Sequence, residues 1–302
     1  MTKAVLTTKV EPSYDDLPEQ RYHFPRTYLR QVEAALGDFI VYYEPRRSSG
    51  NLSSRGGRQA YFATARIVDI EPDTVHSDHF YAKIKDYLEF VRPVPFQEGR
   101  LYYESALQRD DGKTNKGAFG RAVRPLSPGE YDRIAQAGFA PVIAAPAADR
   151  PGDAYSMPGF AEEPATFERP IVERIIARPF RDDAFSGMIK AAYGDTCAMT
   201  GLKIINGGGR SEVQAAHIRP VAESGPDSVR NGIALCGTLH WMFDRGLVSL
   251  DDEYRLLLAP GKVPDPVQRM ITPDRLLLRP ERADQLPHPQ FLRWHREFRF
   301  KG

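Results

Sequence analysis

Residues 212–250 read EVQAAHIRPVAESGPDSVRNGIALCGTLHWMFDRGLVSL, and the organisation of the chain turns on them. A short apolar run carries His217 and stops at Pro220 in the order His217-Ile218-Arg219-Pro220. Fourteen positions beyond His217 comes Asn231, paired with Gly232 in a common turn signal. Nine further on, His240 opens His-Trp-Met-Phe-Asp, whose pattern is helical; Asp244 then falls one turn beyond His240 on the same face.

Each of these features alone is ordinary. A histidine on an apolar strand is most often a hydrogen-bonded core residue, and Asn-Gly by itself says only that the chain turns. Together and in order, His-Ile-x-Pro, Asn-Gly and Leu-Cys-x-x-x-His-x-x-Phe-Asp-x-Gly resemble the HNH, or ββα-metal, endonucleases. Hydrolysing a phosphodiester needs a base for water, a divalent cation at the phosphate, and a scaffold that presents both. The resemblance implies that His217, ending the first strand, is the general base; a neutral imidazole suits that task near pH 7. It implies that Asn231, between the strands, supports either the His217 ring or the strand connection. His240, on the closing helix, would ligate the metal, with Asp244 as a second ligand. The expected cofactor is a divalent ion, Mg²⁺ or Mn²⁺, with other divalent ions open. One position departs from the family: many members carry Asp or His before the catalytic histidine, where this chain has Ala216. The metal would then rest on His240 and Asp244 alone, or also on Gln214 or Glu212, which alternate onto the face of Ala216.

Outward from this stretch, the chain of 302 residues is long enough for two domains. Its 41% hydrophobic and 27% charged residues are those of a globular protein. No run reaches the length of a membrane span and no signal-peptide core opens the chain, so a cytoplasmic protein without a membrane partner is expected. A net charge of +1 advertises no nucleic acid, and any DNA affinity must come from local basic clusters. Two cysteines, Cys197 and Cys236, exclude a four-cysteine zinc shell by count and are expected to stay reduced.

Residues 1–27, polar and broken by Pro12, Pro18 and Pro25, read as an extended arm. A short helix over 27–36 precedes strands at 38–44 and 60–70, one or two more within 79–96, a helix or strand at 101–107 and a strand at 121–125. A helix over 127–138 follows. Between the first two strands, RRSSGNLSSRGGR carries Arg46, Arg47, Arg55 and Arg58 on a glycine- and serine-rich loop suited to a phosphate backbone. Gly37-Asp38-Phe39-Ile40-Val41-Tyr42-Tyr43, residues 61–67, Asp86-Tyr87-Leu88-Glu89-Phe90 and Gly120-Arg121-Ala122-Val123-Arg124-Pro125 resemble the PUA-like superfamily, which includes EVE, YTH and SRA-type domains. That resemblance implies a pocket for a flipped base, with aromatic faces repaying the unstacking. Tyr42, Tyr43, Phe80, Tyr81 and Tyr87 are the candidates for it, although each alone is by default a core aromatic.

Residues 141–170 have the Ala, Pro and acidic composition of a linker, with Tyr155 and Phe160 as local docking points. Helical spacing returns at 171–176 and 182–193; Arg210 and Arg219 flank the first strand of the metal motif as phosphate contacts. A hairpin at 247–258 and a basic helix at 286–300 finish the chain, His295 on that helix reading as structural. The expected fold is α+β: a PUA-like β-barrel domain at 1–140, the linker, and a ββα-metal nuclease domain at 171–302. The whole resembles modification-dependent (type IV) restriction endonucleases, which implies a DNA endonuclease that reads modified cytosine by base flipping. One site per chain implies that cutting double-stranded DNA takes a homodimer, the favoured arrangement, or two successive nicks. Two rivals stand beside this: an HNH nuclease of other nucleic-acid specificity, and a modified-DNA binding protein whose nuclease half is silenced by Ala216.

Overall fold

The computed structural model describes residues 2–9, 17–51, 53–144 and 171–302. Six strands form one sheet: β1 (Lys3–Thr7), β2 (Arg21–Pro25), β3 (Phe39–Glu44), β4 (Ala60–Pro72), β5 (His79–Pro95) and β8 (Val123–Leu126), in the order β2-β5-β4-β3-β1-β8. A small ladder of β6 (Gln97–Glu98) and β7 (Leu101–Tyr102) follows β5. Every pairing in the large sheet is antiparallel except β1 with β3.

The start of the chain departs from the expected arm. Lys3–Thr7 is an interior strand between β3 and β8, with Ala4 and Leu6 in one core cluster and Val5 in the other. Its partners lie far along the chain, so no local pattern announces it; Lys3 at its head is held by Asp38 and lies 4.4 Å above the Tyr131 ring. Residues 10–16, in the middle of the expected arm, lie outside the described residues. The helix expected over 27–36 is shorter, α1 (Leu29–Glu33), and of the one or two strands expected within 79–96 the structure has one, His79–Pro95. Register shifts along β4 and β5 at Tyr61/Ala63, Thr64/Arg66 and Ile67/Asp69 mark bulges, which bend a long strand pair. After α2 (Lys116–Phe119) and β8 comes α3 (Pro128–Gly138), opened by a capping box in which Ser127 and Glu130 satisfy each other's backbone N–H.

Of the stretch expected as linker, residues up to 144 are helical: α4 (Ala140–Ala144) sets Val142 and Ile143 against the core. The one proline of α4, Pro141, lies in its first turn, where a missing N–H costs nothing. Residues 145–170, with Tyr155 and Phe160, lie outside the described residues. The C-terminal half has α5 (Ile171–Ile176), α6 (Arg178–Ala192), the antiparallel pair β9 (Gln214–His217) and β10 (Gly232–Leu235), α7 (Gly237–Asp244), the hairpin β11 (Val248–Leu250) with β12 (Leu256–Leu258), α8 (Asp265–Gln268) and α9 (Pro289–Phe298). The fold is thus mixed α+β. One apolar cluster runs from Val41, Tyr61 and Phe90 on the sheet through α3, α5 and α6 to Ile233 and Leu239, so β9 and β10 are packed onto the sheet through α6.

Candidate active site

β9, β10 and α7 follow one another as strand, strand and helix, and they bring His217, His240 and Asp244 to one cleft, with Asn231 buried in the connection between the strands. Register pairs His217 with Gly232. That glycine is sterically required: a Cβ there would stand 2.3 Å from Ile189 Cδ1 and 2.8 Å from Phe185 Cζ. Phe185 in turn stacks flat on His217, centroids 3.7 Å apart at 9°, so α6 sets the plane of the imidazole.

Its rotation is set by a residue the sequence reading passed over. Asp227, only 1% exposed, accepts from His217 Nε2 at 2.9 Å. Burial pushes the Asp227 carboxyl up, but the His217 hydrogen bond and the Arg181 and Arg178 guanidinium groups outweigh it and leave it below the ordinary carboxylate range. An ionised carboxylate can only accept, so the ring proton must sit on Nε2, and Nδ1 carries the free lone pair. Arg181 donates Nε to Asp227 Oδ2 at 2.7 Å and reaches the backbone carbonyls of Asp86 at 3.2 Å and Tyr87 at 2.6 Å. The orienter of the histidine is therefore anchored on β5 of the sheet.

Asn231 is fully buried and holds the strand connection instead of the ring. Its Nδ2 donates to the carbonyls of Arg219 and Pro226, and its Oδ1 accepts from Arg219 N, all at 2.9 Å. These three bonds fold residues 218–231 back so that Asp227 meets His217. Gly225 permits the approach; a Cβ there would lie 1.8 Å from the Arg219 carbonyl oxygen.

On α7, His240 Nε2 lies 3.5 Å from Asp244 Oδ2, a separation that two ligands of one cation, each about 2.1 Å from it, can share. Burial pulls the His240 imidazole down, with Asp244 opposing and His217 assisting, a shift toward the neutral form that a ligand must take. The two side chains raised as further ligands serve the helix instead. Gln214 Oε1 accepts from His240 Nδ1 at 2.7 Å, and Glu212 accepts from Gly237 N at 2.8 Å, placing a negative charge at the N-terminus of α7. Ala216, opposite Ile233 and fully buried, offers nothing to a metal. His217, His240, Asp244, Arg178 and Arg299 line one open cleft of about 480 Å³. His295 also borders it, but is buried, stacked on Phe243 and bonded to Ser249 and the Phe243 carbonyl.

The remaining candidates are scattered. Tyr42 is buried among Tyr22, Phe62 and Tyr87; Phe80 stacks on Phe24 and Tyr81 on His23. Tyr87, bonded to Glu89, borders a small cavity with Phe62 and Arg58. Tyr43, with Arg46 and Arg47, lines a larger one of about 500 Å³. Arg58 is committed within the protein to Glu44 at 2.9 Å and Asp284 at 2.7 Å, while Arg55 bonds the Ser54 carbonyl. Arg210 borders a cleft beside His217, and Arg219 donates to the Glu223 carbonyl. In sequence, Gly-Pro-Asp-Ser at 225–228 reads as a plain turn, and nothing local distinguishes Asp227. Cys197 and Cys236 are free and buried, and among the described residues no helix is long and apolar enough to cross a membrane.

Residues 197–251 match the family model for HNH endonucleases. No curated protein matches the chain. Among solved structures, the modification-dependent TagI restriction endonuclease is similar at 13% identity and a TM-score of 0.31, over 98% of this chain and 81% of that one. The N-terminal domain of McrB from Staphylothermus marinus matches at 13% identity and TM-score 0.30, over 44% of this chain and 92% of its own. The type IV phosphorothioation-dependent restriction endonuclease ScoMcrA matches at 14% and 0.20, over 80% of this chain and 48% of its own.

Proposed function

We propose that this chain, whose residues 197–251 form an HNH endonuclease domain, is a modification-dependent DNA endonuclease that hydrolyses phosphodiester bonds at the His217–His240 cleft. The observation that carries the nuclease reading is the cleft itself, in which an oriented imidazole faces the same space as two adjacent metal-type donors. His217 Nδ1 takes the proton from the attacking water while Asp227 holds the Nε2–H and balances the imidazolium that forms. His240 and Asp244 would hold a divalent ion such as Mg²⁺ or Mn²⁺, whose chemistry there is stabilisation of charge at the phosphate and leaving oxygen. Arg178, which also pairs with Asp227, and Arg299 line the cleft wall and would contact the phosphate. Asn231 keeps the loop that presents Asp227.

For the reader we propose the sheet domain, PUA-like and spanning residues 1–140, with the 500 Å³ cavity at the ends of β1, β3 and β8 as the base pocket. Tyr22, Tyr43 and Phe119 give it aromatic walls, and Arg46, Arg47, Lys116 and Arg121 a basic rim. This is the composition a flipped nucleotide needs: faces for the base and cations for the phosphates. Tyr42, Phe80 and Tyr81 line other parts of the fold and are not included. A homodimer supplies the second cleft for the opposite strand.

The test is cleavage of matched duplexes differing only in cytosine, 5-methylcytosine or 5-hydroxymethylcytosine, with Mg²⁺ or Mn²⁺, beside His217→Ala. Cutting confined to modified DNA and abolished in the variant, with binding retained, supports both halves. Equal cutting of all three removes the reader, and tight binding without cutting removes the nuclease.

A further inference from the structure

At the far end of β4 and β5, a second group of metal-type donors shares no residue with the catalytic cleft. His23, on the edge strand β2, meets the turn that follows β4: its Nε2 lies 3.0 Å from Asp73 Oδ2, and His76 Nδ1 lies 2.9 Å from the same oxygen. The three donor atoms all fall within 4.8 Å of one another. Asp73 divides its oxygens, since Oδ1 caps the backbone N–H of Val75 at 2.7 Å and only Oδ2 faces the imidazoles. A third histidine follows in the spacing Asp73-x-x-His76-x-x-His79; the His79 ring centre is 5.0 Å from that of His23 and 5.7 Å from that of His76.

The cluster is built, not a chance meeting of surface groups. His23 and Asp73 are both buried, and Tyr81 stacks on the His23 ring at 4.4 Å and 15°. The turn carrying the other donors is tied down by Asp73 N to the His79 carbonyl at 2.9 Å, and by Arg26 N to the Asp78 carbonyl at 2.7 Å. His23, His76 and Asp73 converge as two imidazoles and one monodentate carboxylate, and a rotation of the neighbouring His79 ring would complete the N₃O set preferred by borderline divalent ions, with tetrahedral bonds of about 2.0–2.1 Å. Hard ions such as Mg²⁺ want oxygen instead.

The geometry points to a structural metal site of the zinc class at His23, Asp73, His76 and His79, clamping the edge strand β2 to the β4–β5 turn. An edge strand paired on one side only gains most from such a clamp, because the cross-link holds together residues fifty positions apart in the chain, 23 and 73. His76, which is 62% exposed on its side chain, closes the site from the solvent side.

The experiment strips the full-length protein with chelator and titrates it with Zn²⁺ alone, in wild type, in His240→Ala, and in His76→Ala combined with His79→Ala. The expected result is one zinc retained by His240→Ala, and binding at least about a hundredfold weaker in the double variant, beyond what losing an outer-sphere partner costs. Zn²⁺ should also raise the melting temperature of His240→Ala but not that of the double variant. X-ray absorption of the zinc-loaded His240→Ala protein should show nitrogen and oxygen neighbours and no sulfur, a reading that stands even where the double variant folds poorly. Undiminished zinc binding by a folded double variant, a sulfur neighbour, or no bound zinc in His240→Ala overturns the assignment.

Discussion

Replacing Asp227 with Asn changes one atom and should silence the cleft. In the wild type, Asp227 Oδ2 receives Arg181 at 2.7 Å and Arg178 at 3.3 Å, while Oδ1 receives His217 Nε2 at 2.9 Å. An asparagine has one oxygen and one NH₂ to divide among these three donors. With the NH₂ toward the arginines, buried donors face donors, and leaving even one unsatisfied costs about 1–3 kcal/mol. The favoured rotamer therefore gives its oxygen to Arg181 and its NH₂ to His217, by roughly tenfold or more. Nε2 must then accept, the ring proton moves to Nδ1, and the base has no lone pair for water. An Asp-to-Asn change that imposes the wrong tautomer on a catalytic histidine lowers kcat by about 10⁴, and a fall of about 10³ to 10⁴ is expected here with KM nearly unchanged. Single-turnover cleavage supplies the rate, and nitrogen-15 chemical shifts of His217 report the tautomer independently of activity. A variant that keeps the Nε2–H tautomer, or that cuts within tenfold of wild type, refutes the reasoning.

Other outcomes follow from the same geometry. Asn231→Ala strands the Arg219 N–H and the Arg219 and Pro226 carbonyls, so it should cost about 2–4 kcal/mol in urea unfolding and lower cleavage with it, since the loop bearing Asp227 is released. Burial holds His295 down at about 4, below its ordinary value, so the unfolded chain binds the proton first as pH falls. Stability from this residue is complete above about pH 6.5 and is lost progressively down to pH 4, on the order of 3 kcal/mol, and His295→Gln should flatten that part of the pH profile. Arg46→Ala with Arg47→Ala should reduce the slope of log affinity against log salt by about 1.8 if both touch phosphates. Arg58→Ala, which breaks pairs to Glu44 and Asp284, should instead lower the melting temperature and leave the salt slope unaltered.

Much of the HNH unit at 197–251 was legible in the sequence, because its pattern is local. His217, Asn231-Gly232, His240 and Asp244 sit within one strand–strand–helix unit, and period and turn signals place them without reference to the rest of the chain. The α+β class, the core strands β3 and β4 and the helix capped by Ser127 were readable for the same reason. What tertiary structure alone decided depends on partners far apart in sequence. Lys3–Thr7 is an interior strand only because β3 and β8 flank it. Arg58 looks like a loop arginine until Asp284 arrives from the other end of the chain. Asp227 is a turn residue in sequence and becomes the orienter of His217 only where α6 delivers Arg181 and Phe185 and β5 anchors them. Periodicity and spacing encode what a residue meets within a few positions; they carry no record of which distant charge will neutralise a carboxylate once water has been excluded around both.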